Sequence, residues 1–187
     1  MSDDWRARCG DKLMSVADAM KRIRRGDHIF VAGGAGTPTA LLLGLVEQKE
    51  RLAGHEVVHI LTLGPAPHVA PEMKGVIRHN ALFIGSNVRE AVQSGRADYT
   101  PIFLSEIPGM IRSGRIPVDV AFITVSPPGP HGFCSLGADV GVNRAGIGAC
   151  RTLIAEVNVQ MPRTHGNTSV HIDRNDAKGE TGRPLPG

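Results

Sequence analysis

Two apolar runs dominate the pattern of the chain. Residues 118–125 read VDVAFITV and residues 152–157 read TLIAEV; each is apolar at consecutive rather than alternate positions, which predicts a strand covered on both faces. The first run is stopped by Ser126-Pro127-Pro128-Gly129-Pro130, where prolines remove backbone donors and forbid further pairing. Between the runs, Asn143–Cys150 predicts a short helix. Two buried strands joined through a helix read as a βαβ unit, and hence as part of a parallel sheet.

The earlier pattern extends this reading. Ser15 is placed to cap a helix, Asp18 suits its positive end, and Val16, Ala19, Met20 and Ile23 form its apolar face up to Gly26. Asp27–Ala32 predicts a strand that runs into Gly33-Gly34-Ala35-Gly36-Thr37-Pro38. There Thr37 is the expected N-cap and Pro38 the first residue of a helix reaching about Leu52. Strands are expected over Glu56–Leu63 and Ala81–Ile84, a brief helix from Ser86 to Val92, a surface turn over Gly95–Pro101, and a helical turn carrying Met110 and Ile111. His68, in a loop with three prolines, is expected to be solvated. The polar ends predict a loose arm over residues 1–11, pinned through Trp5, and a disordered tail over residues 174–187. The body, residues 12–173, reads as an open α/β domain, a mainly parallel sheet flanked by helices on both faces.

Composition narrows the function classes. A chain of 187 residues forms one domain that buries roughly 70% of its unfolded surface. The formal charge of +3 is dispersed; Lys21, Arg22, Arg24 and Arg25 lack interleaved aromatics and read as a solvated helix face, against a nucleic-acid partner. Cys9, Cys134 and Cys150 form no CxxC pair, and with no secretory signal the expectation is a reducing cytoplasm. No apolar run approaches the ~18 residues of a membrane span, and no HxxxH or HExxH motif suggests a metal.

Ligands of open parallel sheets bind beyond the carboxyl ends of the strands. The candidates are therefore Gly33, Gly34, Ala35, Gly36 and Thr37 after one strand, Ser126, His131, Gly132 and Ser135 after the central strand, and Asn158 and Pro162 after the last. Glycines ahead of a helix either leave N–H groups open to an anion or carbonyl oxygen or simply let the chain bend. A dinucleotide fingerprint is disfavoured, because Thr39 stands where its third glycine belongs and the strand ending at Leu63 brings no ribose-binding acid. Cys134, near His131, reads as a packed small residue. Glu156 interrupts a buried strand and is a candidate nucleophile, although a carboxylate there commonly accepts hydrogen bonds from adjacent loops. Glu106 is a weaker candidate.

The segments ADYTPIFLSEIP, PVDVAFITVSPPGPHGFCSLG and LIAEVNVQMPRTHG resemble the amino-terminal half of the acetyl-CoA hydrolase/transferase family, especially its 4-hydroxybutyrate CoA-transferases. The resemblance runs from about Lys12 to about Asp173. It implies a CoA-transferase type domain, coenzyme A as a substrate rather than a permanently bound cofactor, and CoA transfer from an acyl-CoA such as acetyl-CoA to a small carboxylate such as acetate or 4-hydroxybutyrate; water as acceptor would make a hydrolase. It further implies that the glycine loop lines the acyl pocket, and that the nucleophilic glutamate belongs to a second domain not represented here. An isolated chain would then be inactive, and its partners would be that carboxy-terminal domain or further copies of itself. The alternative is a non-catalytic subunit or truncated remnant. The chain departs from the family pattern at Gly129-Pro130, at Gly141, and in carrying Gly146 and Gly148 within a short helix, where each costs roughly 1 kcal/mol against alanine.

Overall fold

A computed structural model describes residues 4–185. Strands β1 (His28–Val31), β2 (His55–His59), β3 (Ile77–Ala81), β4 (Ala97–Tyr99), β5 (Val120–Val125), β7 (Thr152–Asn158) and β9 (Ala177–Thr181) form one sheet in the order β4-β3-β2-β1-β5-β7-β9. Every pairing in it is parallel. A separate antiparallel pair joins β6 (Phe133–Ser135) to β8 (Ser169–His171).

The consecutive apolar positions of the central strands divide between two cores. On β5, Ala121, Ile123 and Val125 enter one cluster with Trp5 and Cys9 of α1 (Trp5–Cys9), Ile107 and Ile111 of α5 (Ile107–Arg112), and Ile147 of α6 (Asn143–Ala149). Val120 and Phe122 enter the other, with Met20 of α2 (Val16–Met20) and Leu41, Leu42 and Leu45 of α3 (Thr39–Glu47). Side chains alternate across a strand, so helices on both faces require apolar residues at every position. The expected α/β class is the observed one. Gly146, which looks like a liability in α6, is where that helix meets the sheet: a β-carbon there would lie 2.6 Å from the Phe30 ring.

Several expectations change. Residues 5–9 of the expected arm are helical, with Trp5 and Cys9 buried in the core; residues 1–3 lie outside the described residues. The third strand is Ile77–Ala81 rather than Ala81–Ile84, and the expected turn at Gly95–Pro101 contains β4. Within the expected disordered tail, residues 177–181 pair with β7, and Ala177 and Lys178 are fully buried; Pro186 and Gly187 lie outside the described residues. Backbone pairing and the long aliphatic stem of Lys178, whose Nζ donates to Ile172 O at 3.1 Å, supply what the segment's own hydrophobicity lacks. His68 is buried, not solvated. A short α4 (Arg89–Gln93) follows β3.

Candidate functional site

The strand order reverses between β1 and β5, which makes their carboxyl ends the topological switch point where open sheets hold ligands. The glycine loop leaves β1 there and the proline loop leaves β5.

Thr37 does not cap α3. That helix begins at Thr39, with Pro38 in the capping position and no side-chain cap. The Thr37 hydroxyl instead donates to Gly34 O at 2.8 Å and accepts from Leu63 N at 3.0 Å, tying the loop to the exit of β2. The backbone amides of Gly34, Gly36 and Thr37 donate to Leu61 O, Gly33 O and Gly34 O at 2.7, 3.1 and 3.2 Å. Those three donors are spent within the loop and on the exit of β2, so glycine serves here for close approach: a β-carbon on Gly33 would lie 2.4 Å from Leu61 O, and Gly34 has a φ of +52°.

Asp139, which the sequence pattern did not single out, closes the other side of this loop. A β-carbon on Gly36 would stand 3.0 Å from Asp139 Cβ. Asn143 Nδ2 donates to Asp139 O at 2.9 Å and to its Oδ2 at 3.3 Å. Burial pushes the Asp139 carboxyl up, against the downward pull of hydrogen bonds from the Asn143 side chain and the Gly33 amide. Beside it opens a cleft of about 240 Å³ lined by Phe30, Val31, Leu61, Leu104, Val142 and the two first loop glycines. An apolar cavity with one carboxyl and turn backbone at its rim suits a small, mainly apolar group.

The remaining candidates hold the loops in place. Ser126 Oγ accepts from Ser135 N at 2.9 Å and from Arg163 Nη1 at 3.2 Å. Ser135 Oγ accepts from the amides of Gly137 and Thr164, both at 3.1 Å. His131 is exposed at the turn before β6, while Gly132 donates to Gly129 O and accepts from Ile172 N, both at 2.9 Å. Asn158 is fully buried and donates to Arg183 O at 3.0 Å; Pro162 is exposed. Cys134 is fully buried, and burial pushes its thiol up to about 12.

Glu156 is also fully buried. Its Oε2 accepts from Ala40 N in the first turn of α3 at 3.0 Å, and its Oε1 accepts from Thr181 Oγ1 at 3.1 Å and Arg183 Nε at 2.8 Å. Arg183 Nη2 also donates to Thr37 O. The carboxylate thus joins β7, β9 and the end of the glycine loop, aided by the positive end of the helix. Through Asp139 and Arg183 the structure connects the three loops, 33–37, 126–137 and 158–166. Neither residue carries a motif; an acid two residues past Gly137 and an arginine beyond the last apolar run are visible only as isolated charges. No group of three or more His, Cys, Asp or Glu among the described residues is placed to hold a metal ion. No described helix is long and apolar enough to cross a membrane.

Residues 2–178 match the acetyl-CoA hydrolase/transferase N-terminal domain. The chain belongs to the acetyl-CoA hydrolase/transferase family. It is 37% identical over 182 residues to a 4-hydroxybutyrate coenzyme A transferase of Clostridium kluyveri, covering 97% of this chain and 42% of that protein. It is 45% identical over 152 residues to a succinyl-CoA:acetate/propanoyl-CoA:succinate CoA transferase of Fasciola hepatica, covering 80% and 31%. A crystal structure of 4-hydroxybutyrate CoA-transferase from Porphyromonas gingivalis superposes with a TM-score of 0.82 at 27% identity, covering 98% of this chain and 42% of that one. The chain therefore spans less than half the length of these family members, whose names all describe CoA transfer.

Proposed function

We propose that this domain forms the acyl-side wall of a CoA-transferase active site, with the cleft between the glycine loop and Asp139 receiving the acyl group. The observation that carries this reading is the apolar cleft beside Asp139 at the exits of β1 and β2, bounded by a glycine loop in which β-carbons on Gly33 and Gly36 would crowd Leu61 O and Asp139. The proposed reaction moves CoA from an acyl-CoA such as acetyl-CoA to a small carboxylate such as acetate or 4-hydroxybutyrate, with coenzyme A entering and leaving as substrate. The nucleophilic carboxylate of this exchange is assigned to a second, carboxy-terminal family domain, because Glu156 is enclosed and its oxygens are occupied. Covalent transfer through a carboxylate divides one difficult exchange into two easier ones, and the oxyanion of each tetrahedral intermediate needs donors preorganised around it. Of the loop amides, that of Ala35 takes part in none of the bonds described above.

Three free, buried cysteines support a reducing compartment, for which the cytoplasm is proposed.

The test is exchange between acetyl-CoA and 4-hydroxybutyrate by the purified chain, alone and mixed with the carboxy-terminal portion of the C. kluyveri relative. Exchange only in the mixture is expected. Exchange by the chain alone would return the nucleophile to this domain, and silence in both would count against the proposed role.

A further inference from the structure

Three histidines that the acyl site does not use are packed together inside the β2–β3 half of the sheet. His59 ends β2, His79 lies in β3, and His68 sits in the single-turn helix Pro67–Val69 that covers them. Each is at most 1% exposed. The ring centroids of His59 and His79 are 4.3 Å apart and those of His68 and His79 4.8 Å apart. His68 Nε2 and His79 Nδ1 share a hydrogen bond of 3.1 Å, while both nitrogens of His59, Nδ1 of His68 and Nε2 of His79 have no partner among the described residues. Such an arrangement holds imidazoles only in their neutral form, because a buried charge needs a partner that is absent here.

The surroundings reinforce this. Lys74 and Arg96 line the small cavity beside His68 and His79. Arg96 is paired with Glu90 at 3.1 Å, and Arg78 of β3 with Asp98 of β4. Glu56 of β2 is bonded to Asn80 at 3.4 Å, and His55 of the same strand to Asp27 O at 2.9 Å. Helix α3, against which the covering turn packs, carries Glu47 as its ionisable residue, at its last position. The electrostatic neighbours of the rings are one another: burial depresses His59 to about 3 and His68 to about 4, and His79 is held well below 6.5.

The cluster sits two residues from the wall of the acyl loop. Immediately after His59, Leu61 O receives Gly34 N, Thr62 bridges Gly34, and Leu63 N donates to Thr37. We propose that His59, His68 and His79 form a proton-operated latch: neutral and packed, they hold the exit of β2 against the glycine loop, and protonation opens this half of the sheet and releases the loop. As regulation of acyl transfer the latch rests on the function proposed above; as a conformational device it does not.

The sign follows from linkage. The folded rings titrate below the ordinary histidine value, so the open state takes up protons that the closed state refuses, and closure weakens as pH falls from about 6.5 toward 4. Between pH 7.5 and 5.5 each ring exposed on opening raises the opening equilibrium about tenfold, and all three roughly a thousandfold.

The test is amide hydrogen exchange of the full chain by NMR at pH 7.5 and 5.5, corrected for intrinsic rates. Protection of Gly34 and Leu63 should fall by tenfold or more, Ile123 and Ile154 should fall less, and His68→Gln should remove about tenfold of the dependence. Unchanged protection, an equal fall across the whole sheet, or the same dependence in His68→Gln would overturn the latch. Should His68→Gln not fold, imidazole titration of the unsubstituted chain decides: rings neutral down to pH 5 while folded support it, and a ring titrating near 6.5 while folded refutes it. Absence of CoA exchange at every pH by this chain mixed with the carboxy-terminal portion of the C. kluyveri relative would count against the proposed function alone.

Discussion

Glu156 shows how far a single residue can be read. A carboxylate in a buried strand was legible as an anomaly, and its two interpretations, nucleophile or acceptor, could be separated only by its neighbours. With Ala40 N, Thr181 and Arg183 as donors, Glu156→Ala leaves a partly buried guanidinium and a helix amide without their acceptor. It is expected to cost about 3 kcal/mol or more in urea denaturation. Mass spectrometry of a completed enzyme during turnover should find no CoA adduct at Glu156. Gly33→Ala, whose β-carbon would collide with Leu61 O, should cost about 1–3 kcal/mol through overpacking, measured the same way. Cys134 has its thiol pushed up to about 12, so it should resist iodoacetamide at pH 8 while the chain is folded and react once urea unfolds it.

At the scale of elements, legibility tracked self-sufficiency. β5 and β7 declare themselves because both of their faces are apolar, and α3 because Leu41, Leu42 and Leu45 recur at helical spacing. β3, β4, β6, β8 and β9 do not, for they hold at most five residues and few consecutive apolar ones; they exist because a neighbour offers a register. The tail is the sharpest instance. Residues 177–181 read as disordered by composition, yet they cover the edge of β7, and Asp176 accepts from Leu153 N at 2.7 Å. Deleting residues 177–187 should expose that edge and abolish cooperative folding, seen as lost circular dichroism or as aggregation in size-exclusion chromatography. The glycine loop was legible as a candidate but not its use. Its spacing suggested open amides, whereas the structure turns three of them inward and brings Asp139 against it.

For the whole molecule, the sheet divides two cores that share β1 and β5. Phe122 belongs to the core of α2 and α3, whereas Trp5, the single tryptophan, packs in the core of α1, α5 and α6. Phe122→Ala should cost about 3–5 kcal/mol. If the sheet makes the two cores one cooperative unit, Trp5 fluorescence and far-ultraviolet circular dichroism will shift together in denaturant. Two separated transitions would show that the faces unfold independently.

By itself the sequence determined the class of fold, the two central strands, the sheet edge from which its candidate loops emerge, and the family, because these rest on hydrophobic periodicity, proline and glycine chemistry, and motifs contiguous along the chain. Only the tertiary structure decided that Asp139 and Arg183 bind the three loops together, that a polar tail completes the sheet, and that three histidines from separate segments share one buried pocket. Each of those depends on contacts between distant residues, and such contacts leave no local pattern in a chain.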